Sequence, residues 1–410
     1  MKKKGLFNKI KSYWVNPVNS IQNSPFFTVQ YLEDFKKTKN LFVISHLGQL
    51  AQVEALIKEE NFLNCVLVIL YTVRNRSMPE LIAKKVNKAL FNRITFLQLP
   101  SFPNKIHIKS LFRIMNSYRS MLSSIRPHRL FVLSFEKHYC LLIKKAREMK
   151  IEVNLIEEGT ATYKYSSREE ANLMIKDSLT KLDRRSAFFI RHLPMLSCLR
   201  PVLRVNYIFD KVYSSFPDML ENTFKFKESK EFFIYKDISG DKFTRSIQSH
   251  YNMTNEDILF LNQRYPFPQD SYANILIFIL MNYINKYGGK VFIKLHPKDP
   301  ESLKIALVSE VEKAGLSNNI IIIDEYGFLV ERLIFVSKPK KIVSLTSTTL
   351  IYGKKILPDT ESITIYPLVR DMLFNDKKET LAQYFLEADE HFSILRKFKN
   401  ISAIGSIVDI

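Results

Sequence analysis

Short apolar runs alternate with longer amphipathic stretches along the first part of the chain. Apolar runs typical of buried strands occupy residues 40–45, 65–71, 94–99, 128–134 and 151–156, and helix-like periodicity occupies residues 50–60 and 78–91. Strands that are apolar at nearly every position are typical of parallel sheets that helices cover on both faces. The pattern therefore predicts a doubly wound α/β domain.

A second series of the same kind follows in the other half of the chain. Its apolar runs occupy residues 204–212, 258–262, 290–295, 319–324 and 341–345. Residues 178–205, rich in Arg, Leu and Pro without clean periodicity, are interpreted as a connection. Two consecutive doubly wound halves indicate a GT-B-like α/β fold, in which two Rossmann-like domains face each other across a cleft. Ligands of such sheets bind outside the carboxyl ends of the strands.

The length of 410 residues fits this two-domain organisation, because a single hydrophobic core stops growing well below that size. We predict a basic amphipathic segment over residues 1–20, an acceptor-binding domain over 21–195, a nucleotide-sugar-binding domain over 205–380 and a helical tail over 381–410. Hydrophobic residues make up 46% of the chain, so each half has enough apolar side chains for its own core.

Charge adds a partner class to this picture. The formal net charge of +20 comes from 61 Lys and Arg against 41 Asp and Glu, and it is dispersed along the chain. An excess of this size predicts a polyanionic partner, such as nucleic acid, acidic lipid or acidic polysaccharide. The cysteines Cys65, Cys140 and Cys198 are odd in number and widely spaced, which favours reduced thiols over a disulfide framework or a zinc site.

The first residues combine lysines with apolar side chains. Residues 1–14 read as a short amphipathic helix with Leu6, Phe7, Ile10, Tyr13 and Trp14 on its apolar side. Docking on an anionic membrane surface and packing against the protein's own flank explain this pattern equally well. We expect neither a secretory leader nor a membrane span, since no long apolar run follows.

The first chemical motif follows the strand predicted over residues 151–156. Glu157 and Glu158 are adjacent carboxylates, and Gly159 can turn the backbone so that one of them faces a ligand. A carboxylate in this position can act as a general base towards an acceptor hydroxyl. It can equally be a structural acid near the start of the next helix, where the helix dipole favours negative charge.

Two further motifs follow strands of the second half. His296 precedes Pro297 and lies between lysines, which suits contact with a phosphate, although a structural histidine is the more frequent outcome. Residues 344–350 place Ser347, Thr348 and Thr349 between a strand end and a helix start, where hydroxyl and N–H groups can hold an anion. Ordinary N-capping of the helix explains the same residues.

Together, in this order, the three motifs resemble those of the capsular polysialyltransferases of encapsulated bacteria, glycosyltransferase family 38. That family carries an acidic pair with a glycine, a His-Pro pair and a Ser/Thr cluster. The resemblance covers nearly the whole chain and includes residues 15–17, 46–50, 78–79, 138–139, 156–160 and 263–265.

The resemblance implies a role for each motif in an inverting transfer of sialic acid from CMP-sialic acid to a growing polysialic acid chain. It makes Glu158 the catalytic base and His296 the group that stabilises or protonates the leaving phosphate. The donor-binding residues that it implies are Pro297, Ser347, Thr348 and Thr349, with Gln263, Arg264 and Glu325 as further candidates in the nucleotide pocket. No Asp-x-Asp motif is present, and we expect neither a metal nor a cofactor.

The resemblance also makes polysialic acid the polyanionic partner. Arg74 and Arg76 follow the end of the second strand and are the first candidates for acceptor binding, although solvated surface charge explains each of them as well. Further acceptor-binding candidates beyond other strand ends are His46, Gly48, Gln49 and His138. We expect a bacterial cytoplasmic enzyme on the inner face of the membrane, associated with a capsule export complex and not with nucleic acid.

Two other functions remain open at the level of the sequence. A sialyltransferase that adds one residue to a lipooligosaccharide would share the same motifs, but the large positive charge favours a polymerising enzyme. A non-catalytic polyanion-binding protein would carry its basic and aromatic residues on one module. Here the basic residues are spread through both halves.

Overall fold

The computed structural model describes residues 38–72, 77–100, 107–133, 137–159, 162–163, 184–203, 208–220, 225–236, 238–296, 299–326, 328–376 and 382–410. The chain forms two compact units, which divide between Ile234 and Tyr235. Each unit is built on its own parallel sheet. The predicted α/β fold class with two Rossmann-like domains is therefore confirmed.

The first unit contains a seven-stranded parallel sheet with the strand order β3-β2-β1-β4-β5-β6-β7. Its strands are β1 (Asn40–Ile44), β2 (Cys65–Thr72), β3 (Arg93–Leu99), β4 (Arg129–Val132), β5 (Glu152–Ile156), β6 (Ile208–Ser214) and β7 (Lys225–Glu231). Its helices in the described ranges are α1 (Leu47–Glu59), α2 (Ser77–Lys85), α3 (Ile108–Ile125), α4 (Lys137–Glu148) and α5 (Arg184–His192), with 3₁₀ turns at Lys88–Leu90, Pro194–Leu203 and Pro217–Leu220.

The core of the first unit lies at the centre of this sheet. Every residue of β1 is buried, and the ring of Phe42 stacks on that of Phe131 in β4 with 4.5 Å between centroids. This burial on both faces explains why β1 and β2 are continuous apolar runs. By contrast, β7 lies at the sheet edge and is charged and exposed, which discourages pairing with another chain.

The second unit contains a six-stranded parallel sheet with the order β10-β9-β8-β11-β12-β13. Its strands are β8 (Ile258–Leu261), β9 (Val291–Lys294), β10 (Ile320–Ile323), β11 (Lys341–Ser344), β12 (Glu361–Thr364) and β13 (Ile401–Ala403). Its helices in the described ranges are α6 (Lys242–His250), α7 (Gln269–Tyr287), α8 (Glu301–Lys313), α9 (Val330–Ser337), α10 (Thr349–Ile356), α11 (Tyr366–Asp376) and α12 (Ala382–Leu395), with a 3₁₀ turn at Ile407–Asp409. The core is formed chiefly by α7 against β8 and β9.

The boundary between the units differs from the one expected from the sequence. The apolar run at 204–212 begins no second sheet, because β6 pairs with β5 in the first one. The last residues are not only a helical tail, since β13 follows α12 and pairs with β12. Residues 184–203, expected to be an irregular connection, form α5 and a 3₁₀ segment. An apolar run indicates a strand without indicating which sheet it joins.

Both sheets have the strand order of a Rossmann fold. In the first unit the direction of winding reverses between β1 and β4, and in the second it reverses between β8 and β11. Ligands of doubly wound sheets bind at such switch points, beyond the carboxyl ends of the strands.

None of the helices in the described ranges is both long and apolar enough to cross a membrane.

Candidate functional site

In the first unit, the carboxylate of Glu158 is held by two side chains from the start of α1. Nε2 of His46 lies 2.8 Å from Oε1 of Glu158, and Nε2 of Gln49 donates to the same oxygen at 2.6 Å. The side chain of Glu158 is 20% exposed and that of His46 is 45% exposed. The structure thus brings together three of the predicted site residues beyond the ends of β1 and β5.

The start of α1 explains why these side chains point towards Glu158. His46 occupies the N-cap position without a side-chain cap hydrogen bond, so its imidazole is turned to the carboxylate instead. Gln49 is fully buried, and its Oε1 accepts from the backbone N–H of Ser45 at 2.7 Å, which directs Nε2 towards Glu158. A Cβ atom at Gly48 would lie 3.3 Å from Nδ1 of His46, so the glycine leaves room for the ring.

The two adjacent acids have different roles. Glu157 is 3% exposed, its Oε2 accepts from the backbone N–H of Ser215, and its own N–H donates to Tyr213. It therefore joins the ends of β5 and β6 and is a structural acid. Burial, and secondarily the nearby Glu157 carboxylate, raises the pKa of Tyr163 well above its usual value. Glu158 is the acid that remains accessible.

The turn after the acids fixes the direction of Glu158. Gly159 has a φ of 102°, a backbone conformation that side-chain-bearing residues rarely adopt. The backbone N–H of Glu158 donates to Oγ1 of Thr162 at 2.9 Å, and Thr162 is fully buried. Sequence analysis identified the glycine but not Thr162.

The remaining acceptor candidates are His138, which follows β4, and two arginines. Nδ1 of His138, in α4, lies 2.7 Å from the hydroxyl of Tyr118 in α3, and its ring packs on Tyr139. The hydrogen bond ties the start of α4 to α3. Arg74 and Arg76 lie outside the described residues.

In the second unit, polar side chains join the strand ends at the switch point. Oγ1 of Thr346, after β11, donates to Oε1 of Gln263, after β8, at 2.5 Å. The hydroxyl of Tyr265 is hydrogen bonded to Thr346 and lies 2.9 Å from Nδ1 of His391 in α12. Gln263 and Arg264 line a small pocket beside Tyr265. The predicted Gln263 is therefore part of a network with Thr346, Tyr265 and His391, none of which was predicted as a site residue.

The hydroxyl-rich segment is more buried than its composition suggests. Oγ of Ser347 accepts from the backbone N–H of Thr349, the first residue of α10, at 3.2 Å. Oγ1 of Thr349 donates to Oε1 of Glu331 at 2.9 Å. Burial raises the pKa of the Glu331 carboxyl, against the hydrogen bonds from Thr349 and Tyr235. Thr348 is the N-cap residue of α10 and has no side-chain capping bond.

His296 follows β9 in a loop fastened by Asp299. Oδ2 of Asp299 accepts from the backbone N–H of His296 at 2.8 Å and from Nδ2 of Asn262 at 2.6 Å. The hydroxyl of Tyr272 in turn donates to Oδ1 of Asn262 at 2.7 Å. Pro297 lies outside the described residues. Asp299 was not predicted. The sequence does carry a signal for it, because an acid stands three positions after the histidine at the end of the strand.

A buried lysine lies next to this loop. Lys294, the last residue of β9, donates to the carbonyl of Leu295 at 2.7 Å, and its Nζ lies 4.7 Å from the ring centroid of Tyr326. Burial lowers the pKa of Lys294 to about 8, against the attraction of Glu325 and other nearby acids. Glu325 itself accepts from the hydroxyl of Tyr251 at 2.8 Å.

Within the described residues, no group of three or more His, Cys, Asp or Glu side chains is placed to hold a metal ion.

Comparison with known proteins identifies a family. A family model described as alpha-2,8-polysialyltransferase (POLYST) matches residues 40–366, which is well over half of the chain. No curated protein sequence matches the chain. The matched range includes both sheets up to the start of α11 and all three predicted motifs.

Solved structures share the fold at low sequence identity. A UDP-N-acetylglucosamine 2-epimerase aligns with a TM-score of 0.51 and 10% identity, over 91% of this chain and 94% of that one. The UDP-GlcNAc 2-epimerase of Methanocaldococcus jannaschii aligns with a TM-score of 0.48 and 12% identity, over 88% and 93%. MurG of Acinetobacter baumannii aligns with a TM-score of 0.46 and 10% identity, over 91% and 87%. The first of these likenesses shows the GT-B-like fold and nothing further.

Proposed function

The chain belongs to the alpha-2,8-polysialyltransferase family, and we propose that it elongates capsular polysialic acid by transferring sialic acid from CMP-sialic acid to the non-reducing end of a sialyl acceptor. Membership makes it a glycosyltransferase that polymerises sialic acid. The observation that carries the finer proposal is the carboxylate of Glu158, held by His46 and Gln49 and distinct from the structural Glu157.

Glu158 is proposed as the general base. In the described part of the chain, the hydrogen bonds from His46 and Gln49 both reach Oε1. We assign Oε2 as the atom that takes the proton from the acceptor hydroxyl, because both of these hydrogen bonds are made to Oε1. The acceptor oxygen then attacks the anomeric carbon of the donor as the bond from that carbon to the CMP phosphate breaks, which inverts the configuration.

The second unit is proposed to hold the donor. Negative charge builds on the phosphate as CMP leaves, and His296 together with the start of α10 offers hydrogen-bond donors for it. Because the leaving group is a monophosphate, these donors can suffice, and we propose that transfer needs no metal. The proposed donor residues remain those implied by the sequence: Ser347, Thr348, Thr349, Pro297, Gln263, Arg264 and Glu325.

The partners follow from charge. A net charge of +20 suits a polysialic acid acceptor that carries one carboxylate per residue. We further propose that residues 1–14, which lie outside the described residues, bind the inner surface of the cytoplasmic membrane near a capsule export complex. Substituting Leu6 and Phe7 by Ser should lower the fraction of the protein that sediments with membranes, and an unchanged distribution would refute this attachment.

One assay tests the transfer reaction and its alternatives. Purified protein is incubated with CMP-sialic acid and a labelled trisialyl acceptor in the presence of EDTA, beside Glu158→Ala. A ladder of products that is absent in the variant supports the proposal, and NMR of the ladder tests the α2,8 linkage that the family description names. A single added residue favours the lipooligosaccharide sialyltransferase. Tight polymer binding without transfer favours a polyanion-binding protein, and a requirement for added metal refutes metal independence.

A further inference from the structure

Four large apolar side chains lie exposed within eight consecutive positions of the first unit. Phe188 is 60% exposed, Met195 is 56% exposed, and Phe189 and Leu193 are also exposed. The ring of Phe188 lies edge-on to that of Phe189, 6.0 Å between centroids. Single exposed apolar residues are ordinary, whereas four large ones within eight consecutive positions favour an interaction surface.

The same segment is basic throughout. Arg184, Arg185, Arg191 and Arg200 are all exposed, and neither Asp nor Glu occurs between Arg184 and Leu203. The rest of the chain contains 41 Asp and Glu, so this stretch differs from its surroundings. Aromatic residues beside arginines, without acids, are the composition of segments that lie in the interface of a membrane.

The support beneath these side chains is firm. Ile190 and Leu199 are fully buried, and Nζ of Lys144 in α4 donates to the carbonyl of Cys198 at 3.5 Å. The α5 helix and the following 3₁₀ segment Pro194–Leu203 are thus anchored to the body of the unit. The exposed rings therefore stand on a packed base, so little ordering is needed when they bind.

We propose that the four apolar side chains and the four arginines, here called the Phe188 surface, dock on a bilayer that contains anionic phospholipid. The phenyl rings leave water by entering the acyl boundary, and the arginines contact the headgroups. This surface adds a second attachment to that of residues 1–14, and it does not depend on the transfer reaction.

Other occupants fit the chemistry less well. Polysialic acid matches the arginines, but a hydrated polyanion provides no apolar phase for Phe188 and Phe189. A second copy of the chain would satisfy the rings, but a twofold contact would bring the same arginines of both copies together. An anionic bilayer provides both the apolar phase and the negative charge.

The test uses full-length protein and sedimentation with vesicles of phosphatidylcholine, with and without phosphatidylglycerol. Phe188→Ser with Phe189→Ser should lower the partition coefficient on anionic vesicles about tenfold or more, since two large apolar side chains no longer leave water. Arg184→Gln with Arg185→Gln should lower it by about tenfold or more as well, because each lost basic residue costs about fivefold. The matched control is Leu386→Ser with Val408→Ser, two exposed apolar residues of the second unit, which should leave the partition unchanged.

Thermal unfolding of each variant verifies that its fold is intact, so the outcome is independent of enzymatic activity. The measurements are repeated in a background with Lys2, Lys3 and Lys4 replaced by Gln, because residues 1–14 could mask the effect. If Phe188→Ser with Phe189→Ser binds anionic vesicles in that background as strongly as the background protein does, the proposal is overturned. Equal binding to neutral and anionic vesicles would also overturn it. A change of oligomeric state in light scattering with vesicle binding intact would assign the surface to a second copy, and loss of polysialic acid binding alone would assign it to the acceptor.

Discussion

Nε2 of His46 lies 2.8 Å from Oε1 of Glu158, although 112 positions separate the two residues in the sequence. The contact joins the start of α1 to the carboxyl end of β5, on either side of the central strand β4. Two loops that lie beyond different strands are thereby tied to one carboxylate. This geometry distinguishes Glu158 from Glu157 and is the basis of the first prediction.

Glu158→Gln is expected to lower kcat by about a hundredfold to ten-thousandfold, because the amide cannot take a proton from the acceptor hydroxyl. The variant keeps the size of the side chain and an oxygen for the contacts of His46 and Gln49. Its thermal unfolding should therefore stay close to that of the wild type. Initial rates with a labelled oligosialyl acceptor measure the first effect, and calorimetry measures the second.

Glu157→Ala is the contrasting variant. Its carboxylate accepts from the backbone N–H of Ser215 inside the unit, so its removal leaves that buried donor without its partner. The free energy of unfolding should fall by about 1–3 kcal/mol. A stable Glu157→Ala protein that lacks activity would contradict the division of roles between the two acids.

Gln49 is expected to act by positioning Glu158. Gln49→Leu removes the donor to Oε1 of Glu158, and kcat should fall about tenfold to a hundredfold because the base is no longer held in place. The KM for CMP-sialic acid should stay constant. Gln52→Leu is the matched control in α1, since the side-chain oxygen of Gln52 has no hydrogen-bond partner in the described part of the chain. An equal loss of activity in both variants would mean that disturbance of α1 is the cause.

The strands β1 to β6 and β8 to β11 were predicted, because burial on two faces requires apolar residues at nearly every position. The short strands β12 and β13 were not predicted. The charged β7 gave no such signal, since an edge strand can expose its side chains. The membership of β6 in the first sheet depends on pairing between β5 and β6, which are separated by more than fifty residues. The pattern of apolar residues within a strand does not indicate which distant strand it pairs with.

The candidate site was predictable only as far as strand ends could be located. Glu158, His296 and Ser347 follow strands in the sequence as they do in the structure. Their partners were not predictable, because Glu331 reaches Thr349 from another helix and Asp299 binds a backbone group. Hydrogen-bond partners of this kind are selected by tertiary packing and not by spacing along the chain.

Lys294 is expected to make stability depend on pH. Burial lowers the pKa of Lys294 to about 8 from the ordinary 10.5, so the folded state binds fewer protons than the unfolded state between these values. The contribution of Lys294 to the free energy of unfolding therefore rises as the pH rises from about 8 to about 10.5. Below pH 8 the buried amine is charged in the folded state, and its cost to stability is greatest there. Lys294→Met should raise the melting temperature near pH 7, and its advantage should shrink between pH 8 and pH 10.

Calorimetry at a series of pH values measures this difference. Lys304→Met is the control, because Lys304 is partly exposed and paired with Asp324, so that its replacement removes an attraction and should bring no gain. If Lys294→Met does not raise the melting temperature near pH 7, the lowered pKa of Lys294 is contradicted. A gain that stays constant up to pH 10 would also contradict it, since the titration of Lys294 would then have no part in the effect.

The contact between Thr349 and Glu331 is expected to stabilise the start of α10. Thr349→Val removes a hydrogen bond to a buried carboxylate, and the free energy of unfolding should fall by about 1–3 kcal/mol. Thr349→Ser keeps the hydroxyl and should recover most of this loss. Combining Thr349→Val with Glu331→Leu, which cannot accept the hydrogen bond, completes a double-mutant cycle, measured by urea denaturation, and additive losses would show that the contact contributes nothing. Because this hydroxyl donates to Glu331, we expect Glu331→Leu to change the KM for CMP-sialic acid as much as Thr349→Val does.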